Sequence, residues 1–283
     1  MTKILDGRAV AKQLNEETRA TISELEHINI TPTLAIMRAD ENPSSIQYEK
    51  SATRFMDKLG IQTKHVTFPE GISQEELLQE LEKLNKDNEI NGILIMQPLP
   101  KNIDLKVVAD KIDSEKDIDG MSGTNLGRIM LGEKNTLLPS TVKAVLEIIR
   151  FYDLPVEYQE ITVVGRSNTV GKPLSVILMT RGATVTTCHT RTQNLIKHTK
   201  NADILIAAAG KIGLITEEHV KPGTIVIDVG FNFEEGKAYG DVVYDEVEPL
   251  ASKITPVPGG VGSVTTAALA RQVADAAKWQ QMK

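Results

Sequence analysis

The stretch from Ile161 to Pro173 has the residue types and spacing of an anion-binding loop. Four residues rich in β-branched side chains, Ile161–Val164, lead directly into Gly165, and Gly171 follows before an apolar run with helical spacing. Such a strand–loop–helix junction offers free backbone N–H groups and the positive end of a helix dipole to a phosphate. The glycines do not follow the G-x-G-x-x-G order, so this stretch alone also fits an ordinary turn of an α/β protein.

The segment after this glycine loop carries side chains suited to a phosphate monoester. Ala183–Thr187 predicts a second strand about 20 residues on, where a unit that binds NAD usually has a carboxylate for the ribose hydroxyls. Here the segment continues instead to Thr190 and Arg191. A guanidinium binds phosphate oxygens through two parallel hydrogen bonds, so the pattern favours NADP over NAD. Arg166 is a second candidate for the same phosphate, the alternative being a solvated surface arginine.

The composition is that of a globular protein with a mildly acidic balance. The 283 residues are 41% hydrophobic and 25% charged, which is enough for one large or two ordinary domains. A net charge of -6 argues against nucleic acid or an anionic membrane as the main partner. The N-terminal segment has no apolar signal core, and no run approaches the roughly 18 apolar residues of a membrane span, so we expect a soluble, cytoplasmic protein.

The histidine and cysteine residues give no sign of a metal site. The five histidines and Cys188 show no metal-ligand spacing, so we predict no bound metal. A single cysteine excludes an internal disulfide and fits a reducing compartment. We interpret Cys188 as a small, semi-buried residue and not as a nucleophile.

The first half of the chain alternates strand and helix patterns, which implies parallel strands joined by crossover helices. The predicted strands are Thr33–Met37, Lys64–Phe68 and Gly92–Met96. The predicted helices run from Gly7 to about Ile28, from Ser45 to Leu59, and from Ser73 to about Lys86. The second of these helices begins after Asn42-Pro43, and the third begins with a capping box.

The second half predicts a further parallel sheet with glycines at one edge. Its later strands are predicted at Asp203–Ala207, Thr224–Val229 and Lys253–Val257. Gly210, Gly230 and Gly259-Gly260 follow the carboxyl ends of these strands, which is where ligands bind in open α/β sheets. We place the domain boundary at the helix that begins near Ser140. The first domain is then residues 1–140, completed by a returning helix in 264–283, and the second domain is residues 141–263.

Together these segments resemble the methylenetetrahydrofolate dehydrogenase/cyclohydrolase family of one-carbon metabolism. The resemblance covers essentially the whole chain, and several independent motifs occur in the family's order and spacing. These motifs are Ile4-Leu-Asp-Gly7, Asn42-Pro-Ser-Ser45 with Tyr48, Lys116-Asp-Ile-Asp-Gly120, Gly165-Arg-Ser167, Val170-Gly171 with Pro173, Asp228-Val-Gly230 and Pro256-Val-Pro-Gly-Gly-Val-Gly262. The implied fold is two α/β domains, of which the second is a Rossmann-like parallel sheet that binds NADP.

The resemblance also implies an activity, an assembly and a set of site residues. It implies NADP-dependent oxidation of 5,10-methylenetetrahydrofolate by a homodimer, with folate in the first domain facing NADP on the second. The residues that it assigns to the cofactor are Gly165, Arg166, Ser167, Thr190, Arg191, Gly230 and Phe231. Those that it assigns to the folate are Tyr48, Asp119, Pro258, Gly259, Gly260, Val261 and Gly262.

Tyr48 and Asp119 are the candidate catalytic residues of this set, and each has a simpler interpretation. Tyr48 could be a helix residue that packs between domains. Asp119 could be a turn former, because aspartate readily bends and caps local backbone. The family role of Asp119 is to hydrogen-bond the donor edge of the pterin ring through its carboxylate.

Two positions depart from the family pattern. The family has a lysine four residues after the tyrosine and a glutamine on the third strand, whereas this chain has Ala52 and Met96 there. Lys50 and Arg54 lie two residues from position 52 and should face the opposite side of the helix. Gln97 is adjacent to Met96 and should face the other way. Simple substitutes for both polar groups are therefore missing.

The missing lysine affects the two family reactions unequally. Hydride transfer mainly requires two rings aligned within about 3 to 3.5 Å. Hydrolysis of the methenyl bridge requires a positioned acid–base group worth about 10² to 10⁴ in rate. We therefore expect a dehydrogenase with weak or absent cyclohydrolase activity. The alternatives are a fully bifunctional enzyme that uses Asp119 or a substrate-held water, and a non-catalytic paralogue that binds NADP or folate, against which the intact Asp119 and Pro258–Gly262 argue.

Overall fold

The computed structural model of the chain describes residues 3–234 and 236–282. Over these residues the chain forms two α/β units, each with a parallel sheet. The three-stranded unit contains Gln13–Ser140 and the described residues from Leu269 onward. The six-stranded unit contains the described residues up to Lys12 together with Thr141–Ala268. The predicted fold class is confirmed, including the C-terminal helix that returns to the first unit.

Strands and helices alternate along most of the chain. Up to Phe151 they are β1 (Lys3–Ile4), α1 (Gly7–Glu26), β2 (Thr33–Arg38), α2 (Pro43–Leu59), β3 (Gln62–Thr67), α3 (Gln74–Lys86), β4 (Gly92–Ile95), α4 (Leu105–Lys111), α5 (Gly123–Leu131) and α6 (Ser140–Phe151). The remainder are β5 (Glu160–Val164), α7 (Gly171–Thr180), β6 (Thr184–Cys188), α8 (Leu195–Thr199), β7 (Ile204–Ala207), β8 (Ile225–Asp228), β9 (Asn232–Glu234), β10 (Lys237–Tyr239), α9 (Tyr244–Val247), β11 (Lys253–Ile254) and α10 (Gly262–Gln280). No helix within these described ranges is long and apolar enough to cross a membrane.

The two units divide the chain between Ser140 and Thr141, as in the predicted domains, but they differ from those domains near both ends of the chain. The residues before Gln13 group with the six-stranded unit, and the terminal part of the three-stranded unit begins at Leu269 and not at residue 264. One cause is β1, which pairs in parallel with β11 and so ties the N-terminal segment to the six-stranded sheet. A strand of two residues is too short for any side-chain periodicity to reveal. The role of each domain, folate binding or NADP binding, stays a prediction.

The three-stranded sheet has the order β3-β2-β4, with all strands parallel. Capping residues mark the ends of the helices that connect its strands. The Asn42 side chain accepts a hydrogen bond from the Ser44 N–H at 3.0 Å and caps α2, which ends at Gly60 in the left-handed conformation. Ser73 and Glu76 form the predicted capping box at the start of α3.

Alternate residues of this sheet supply two separate apolar cores. Leu34 and Ile36 of β2 belong to a cluster with residues of α2 and of the C-terminal part of α10. Ala35 and Met37 belong to a second cluster with residues of α3 and α4. Met96, which follows β4, lies in the first cluster, on the α2 side. The side chain at position 96 is therefore held among apolar neighbours.

The six-stranded sheet has the order β1-β11-β8-β7-β5-β6, and its strands are parallel. The chain runs from β5 outward to β6 and then crosses to the other side of β5 to form β7. Strand order thus reverses at β5, which is the point of an open α/β sheet where ligands bind. The predicted glycine loop directly follows this strand.

A buried charge cluster fixes α2 against the three-stranded sheet. Glu49 accepts hydrogen bonds from Arg38 Nε at 2.5 Å and contacts His65 Nδ1 at 2.7 Å. The Arg38 and Glu49 side chains are only 11% and 9% exposed. Burial raises the pKa of Glu49, but the hydrogen bonds and charges of Arg38 and His65 outweigh burial and lower it overall. The pair joins the end of β2 to the residue next to Tyr48.

We predict that Glu49→Gln lowers the free energy of unfolding by about 3 kcal/mol, because it leaves the Arg38 charge buried without its counter-charge. The pKa of Glu49 is lowered on folding, so its ionised form stabilises the protein above the ordinary value of 4.5. This contribution disappears as the pH falls through the lowered pKa. Urea unfolding should therefore show the largest difference between variant and wild type near neutral pH and a smaller one in acid.

Glu82→Gln is the matched control for this prediction. Glu82 pairs with Lys86 on the exposed face of α3 at 2.7 Å. Exposed pairs of this kind contribute little, so the unfolding midpoint should hardly change. Equal stability of the Glu49 and Glu82 variants at neutral pH would show that the buried cluster does not stabilise the unit.

Candidate active site

The glycine loop makes a turn between β5 and α7 that larger residues cannot make. Gly165 has a φ of +142°, and a Cβ added there would overlap the carbonyl group of Ala208. A Cβ added at Gly171 would overlap the carbonyl group of Gly165. Glycine at these two positions lets the first turn of α7 approach the end of β5 closely. The loop therefore lies close to the carboxyl end of β5, where strand order reverses.

The backbone of this loop presents hydrogen-bond donors. The Ser167 hydroxyl oxygen accepts from the N–H of Val170 at 3.1 Å and of Gly171 at 3.4 Å. Among the described residues, none accepts a hydrogen bond from the N–H groups of Arg166, Ser167 or Asn168. These three residues are exposed. Free donors beside a helix N-terminus fit a phosphate group, as the sequence predicts.

Thr190 and Arg191 follow β6, the strand that pairs with β5 in parallel, so they lie at the same edge of the sheet. Three hydrogen bonds fix their turn. The His189 N–H donates to Thr192 Oγ1 at 2.8 Å, the Thr192 N–H donates to the His189 carbonyl oxygen at 2.8 Å, and the Arg191 N–H donates to His189 Nδ1 at 3.1 Å. Both predicted residues are exposed. Within the described part of the chain, the Arg191 guanidinium makes no ion pair and is free to bind an anion.

Gly230 and Phe231 follow β8 at the same edge of the six-stranded sheet. Phe231 is 63% exposed, although large aromatic residues are usually buried. Gly262, at the start of α10, lies close enough that a Cβ there would be 4.0 Å from Phe231 Cδ2. The Pro258–Gly262 loop therefore approaches the Phe231 ring. The seven residues predicted to bind the cofactor and this loop all belong to the six-stranded unit.

Tyr48 and Asp119 belong to the three-stranded unit. Tyr48 lies on α2 and is 47% exposed. Asp119 follows a bridge between Ile93 and Asp117, and its Oδ1 accepts the Ser140 N–H at 3.1 Å. The structure thus brings these two predicted residues together within one unit.

The pKa values of both groups are raised. Although the Tyr48 residue as a whole is 47% exposed, its ionisable group is largely enclosed; this burial raises the pKa of Tyr48, and the nearby Asp119 charge raises it further. Burial also raises the pKa of Asp119; the hydrogen bond from the Ser140 N–H opposes this effect, and the Asp117 charge adds to it. The shift brings the Asp119 carboxyl group closer to neutral pH, which makes it a candidate acid–base group, whereas the raised pKa keeps Tyr48 a neutral phenol that can donate a hydrogen bond.

The positions where the family has lysine and glutamine are buried and apolar. Ala52 is 2% exposed and Met96 is 5% exposed. Lys50 and Arg54 lie on the exposed surface of α2, and Gln97 is exposed as well. The prediction that none of these three replaces the missing polar groups agrees with their exposure.

The Arg38–Glu49–His65 cluster beside Tyr48 was not predicted. Its three members lie on β2, α2 and β3, and no local pattern relates them. The only hint in the sequence is a glutamate on the face of α2 that carries Ala52 and Met56. Elsewhere, within residues 3–234 and 236–282, no three His, Cys, Asp or Glu side chains form a group that could hold a metal ion.

Two family models match the chain. The tetrahydrofolate dehydrogenase/cyclohydrolase catalytic domain matches residues 5–119. The NAD(P)-binding domain of the same family matches residues 139–281. The chain belongs to the tetrahydrofolate dehydrogenase/cyclohydrolase family. The predicted family is confirmed, and the glycine loop lies within the segment that matches a NAD(P)-binding domain.

Individual relatives of this family are similar over the full length. The bifunctional protein FolD of Enterococcus faecalis is 42% identical over 282 residues, which covers 99% of this chain and all of the relative. The crystal structure of the bifunctional FolD from Campylobacter jejuni superposes with a TM-score of 0.96 at 37% identity, covering 99% of this chain and 100% of that one. The Trypanosoma brucei enzyme, solved with NADP and an inhibitor, has a TM-score of 0.93 at 31% identity, covering 100% and 99%.

We predict that Gly171→Ala lowers the free energy of unfolding by about 1 to 3 kcal/mol, because the added methyl group displaces the β5–α7 turn of this family member. The control is Gly127→Ala in α5, where an added Cβ meets no atom within 4 Å. That change should be neutral or slightly stabilising, since alanine favours a helix. Urea unfolding of both variants tests the prediction, and a Gly171 variant as stable as the Gly127 variant would contradict the close approach.

Proposed function

We propose that this member of the family is an NADP-dependent 5,10-methylenetetrahydrofolate dehydrogenase whose cyclohydrolase activity is weak or absent. The observation that carries the proposal is the apolar, buried character of Ala52 and Met96. A lysine and a glutamine at these positions would supply a proton carrier and its partner next to Tyr48. In this chain neither group is present.

NADP is the cofactor that the six-stranded unit fits best. The unbonded N–H groups of Arg166 and Ser167, together with the close turn at Gly165, suit the diphosphate. Arg191 and Thr190 suit the ribose 2′-phosphate, because they offer a cation and a hydroxyl and no carboxylate. Gly230 and Phe231 follow β8 at the same edge and are assigned to the cofactor with them. The binding of NADP by the Trypanosoma brucei relative supports this assignment.

The folate is assigned to Tyr48, Asp119 and the Pro258–Gly262 loop. Asp119 accepts hydrogen bonds through its carboxylate, which suits the donor edge of a pterin ring. Its raised pKa reflects burial, and a bound pair of N–H donors would favour the ionised form again. Tyr48 supplies a hydroxyl and an exposed ring face. The backbone of the Pro258–Gly262 loop would line the substrate.

Hydride transfer makes modest demands on these side chains. Bound NADP supplies a hydride acceptor, and the lone pairs of the folate nitrogens drive departure of the hydride from the methylene carbon. No heteroatom loses a proton in this step. The side chains of this protein need only hold the two rings in register and exclude water, which is a matter of positioning. Loss of the lysine leaves this task intact.

Hydrolysis of the methenyl product is more demanding. A water must lose a proton as it attacks, and a ring nitrogen must gain one. A positioned acid–base group contributes about 10² to 10⁴ to such a rate. Because position 52 is alanine and not lysine, the site lacks the contribution of this acid–base group.

Full bifunctionality is the second candidate, and one observation favours it. The pKa of Asp119 is raised from its ordinary value toward neutral pH, so its carboxyl group could exchange a proton with a substrate-held water. The names of the Enterococcus faecalis and Campylobacter jejuni relatives are also those of bifunctional proteins. A non-catalytic paralogue is a third possibility, against which Asp119 and the Pro258–Gly262 loop argue. The homodimer and the cytoplasmic location stay predictions.

The test is a two-product assay of the purified protein with 5,10-methylenetetrahydrofolate and NADP, in a buffer where spontaneous hydrolysis is slow. NADPH and methenyltetrahydrofolate absorbance are followed separately. We expect NADPH to form together with accumulating methenyl product, and to form more slowly when NAD replaces NADP. NADPH without accumulation would support the bifunctional alternative. No reduced cofactor at all would support the paralogue.

A further inference from the structure

Two buried aspartates collect backbone N–H groups at the carboxyl edge of the six-stranded sheet. Asp241 is fully buried. Its Oδ2 accepts the N–H groups of Ala209 at 2.5 Å and Gly210 at 3.0 Å, and its Oδ1 accepts the N–H of Lys211 at 2.8 Å. These three residues form the loop that follows β7. The Asp241 side chain therefore accepts from three consecutive N–H groups of this loop.

Asp228, at the end of β8, binds the loop that follows this strand in the same way. It is 3% exposed. Its Oδ1 accepts the N–H groups of Gly230 at 2.9 Å and Asp241 at 3.0 Å, and its Oδ2 accepts the N–H of Val242 at 3.0 Å. Asp228 thus joins the start of the Gly230–Phe231 loop to the segment that contains Asp241. We call these two aspartates the carboxylate clasp.

The clasp is built reciprocally, with one glycine against each carboxylate. A Cβ at Gly230 would overlap the Asp241 carboxylate, and a Cβ at Gly240 would overlap the Asp228 carboxylate. Each aspartate therefore fits only because the partner segment has no side chain at the point of contact. Such a fit specifies the relative position of the two loops closely.

The clasp also reaches the Pro258–Gly262 loop. The Asp228 backbone N–H donates to Thr255 Oγ1 at 2.7 Å, and Thr255 follows β11 directly. A Cβ at Gly260 would approach the Thr255 Cβ to 2.9 Å, so the loop packs against this residue. The two carboxylates therefore bind the loops after β7 and β8, and the Asp228 backbone N–H connects them to the residue that precedes the third loop.

Two carboxylates buried together carry an electrostatic cost. Burial raises the pKa of Asp228 to about 7, the Asp241 charge acts in the same direction, and the three backbone N–H groups oppose them. A pair that served stability alone would be better replaced by neutral groups. The loops lie where a ligand excludes water, so their N–H groups need acceptors from the protein itself.

We infer that Asp228 and Asp241 are positioning residues that fix the loops of the cofactor-binding edge and so set the affinity for NADP. The inference rests on the proposed function of this edge. Neither aspartate needs to touch the cofactor. The geometry uses both oxygens of each carboxylate as acceptors, so an amide of the same shape would lose one acceptor and direct an NH₂ group at a backbone N–H.

The test compares Asp241→Asn with Asp203→Asn in the full-length protein. Asp203 precedes β7 at the opposite edge of the same sheet, where it accepts the Glu160 N–H at 3.0 Å and binds Lys221 at 2.8 Å. NADPH affinity is measured by fluorescence titration. We expect Asp241→Asn to weaken binding about tenfold, since it breaks charge-assisted bonds that shape the edge. Asp203→Asn should leave affinity within about twofold, because it changes only the far edge.

Two further measurements separate positioning from general stability. Amide hydrogen exchange of the loop after β7 should accelerate in Asp241→Asn and not in Asp203→Asn. The pKa of Asp228 is raised from 3.8 on folding, so its contribution to stability falls as the pH rises toward 7. In Asp228→Asn this fall in stability with rising pH should be absent. Urea unfolding curves measured between about pH 5 and about pH 8 would detect the difference.

The outcomes distinguish this inference from the proposed function. Unchanged NADPH affinity in both Asp241→Asn and Asp228→Asn, with the wild type binding NADPH, would overturn the inference alone. Equal weakening in Asp203→Asn would also overturn it, since the effect would then be one of global stability. A wild-type protein that does not bind NADPH would overturn the proposed function and the inference with it. If Asp241→Asn does not fold, Asp228→Asn decides, because it leaves all three Asp241 bonds in place.

Discussion

The structure depends on how backbone N–H groups are satisfied where parallel strands end. Within the sheet each strand supplies acceptors to its neighbour, but the loops beyond the carboxyl ends have no such ladder. In the six-stranded unit, side chains replace it: Ser167 accepts from the first turn of α7, and the carboxylate clasp accepts from the loops after β7 and β8. Among the described residues, no group accepts from the N–H groups of Arg166, Ser167 and Asn168, so these donors are available to a phosphate. The part of this edge that can bind a phosphate is therefore the part whose N–H groups have no acceptor within the described residues.

The candidate site of the three-stranded unit is defined by a polar group that is missing. Tyr48 and Asp119 are retained and electrostatically linked, and the buried Arg38–Glu49 pair fixes the helix that carries Tyr48. One turn further along the same helix, Ala52 offers only a methyl group. On the function proposed above, such a site would hold a folate and would lack a mobile proton carrier. The dehydrogenase needs the first property, and the hydrolysis needs both.

Much of the fold could be predicted from the sequence, and the features that could not be predicted have identifiable physical causes. Buried strands such as Thr33–Arg38 and the caps at Asn42 and Ser73 follow from local residue patterns, and local patterns are what a sequence displays directly. The two-residue strand β1 and the β9–β10 hairpin are too short to show a period. The Arg38–Glu49–His65 cluster and the clasp join residues distant in sequence, so only the tertiary fold brings them together. The family motifs located the candidate residues, and the assignment of each to folate or NADP stays a prediction.

The most direct test of the account is the rate at which the purified protein hydrolyses 5,10-methenyltetrahydrofolate, compared with the rate in buffer alone. It is measured for the wild type, for Ala52→Lys combined with Met96→Gln, and for Ser51→Lys, which adds the same charge at the exposed neighbouring position of α2. We expect the wild type and the Ser51 variant to stay close to the buffer rate, and the double variant to accelerate hydrolysis by about 10² or more. Rapid hydrolysis by the wild type would overturn the proposed loss of cyclohydrolase activity, because the reaction would then proceed without the lysine.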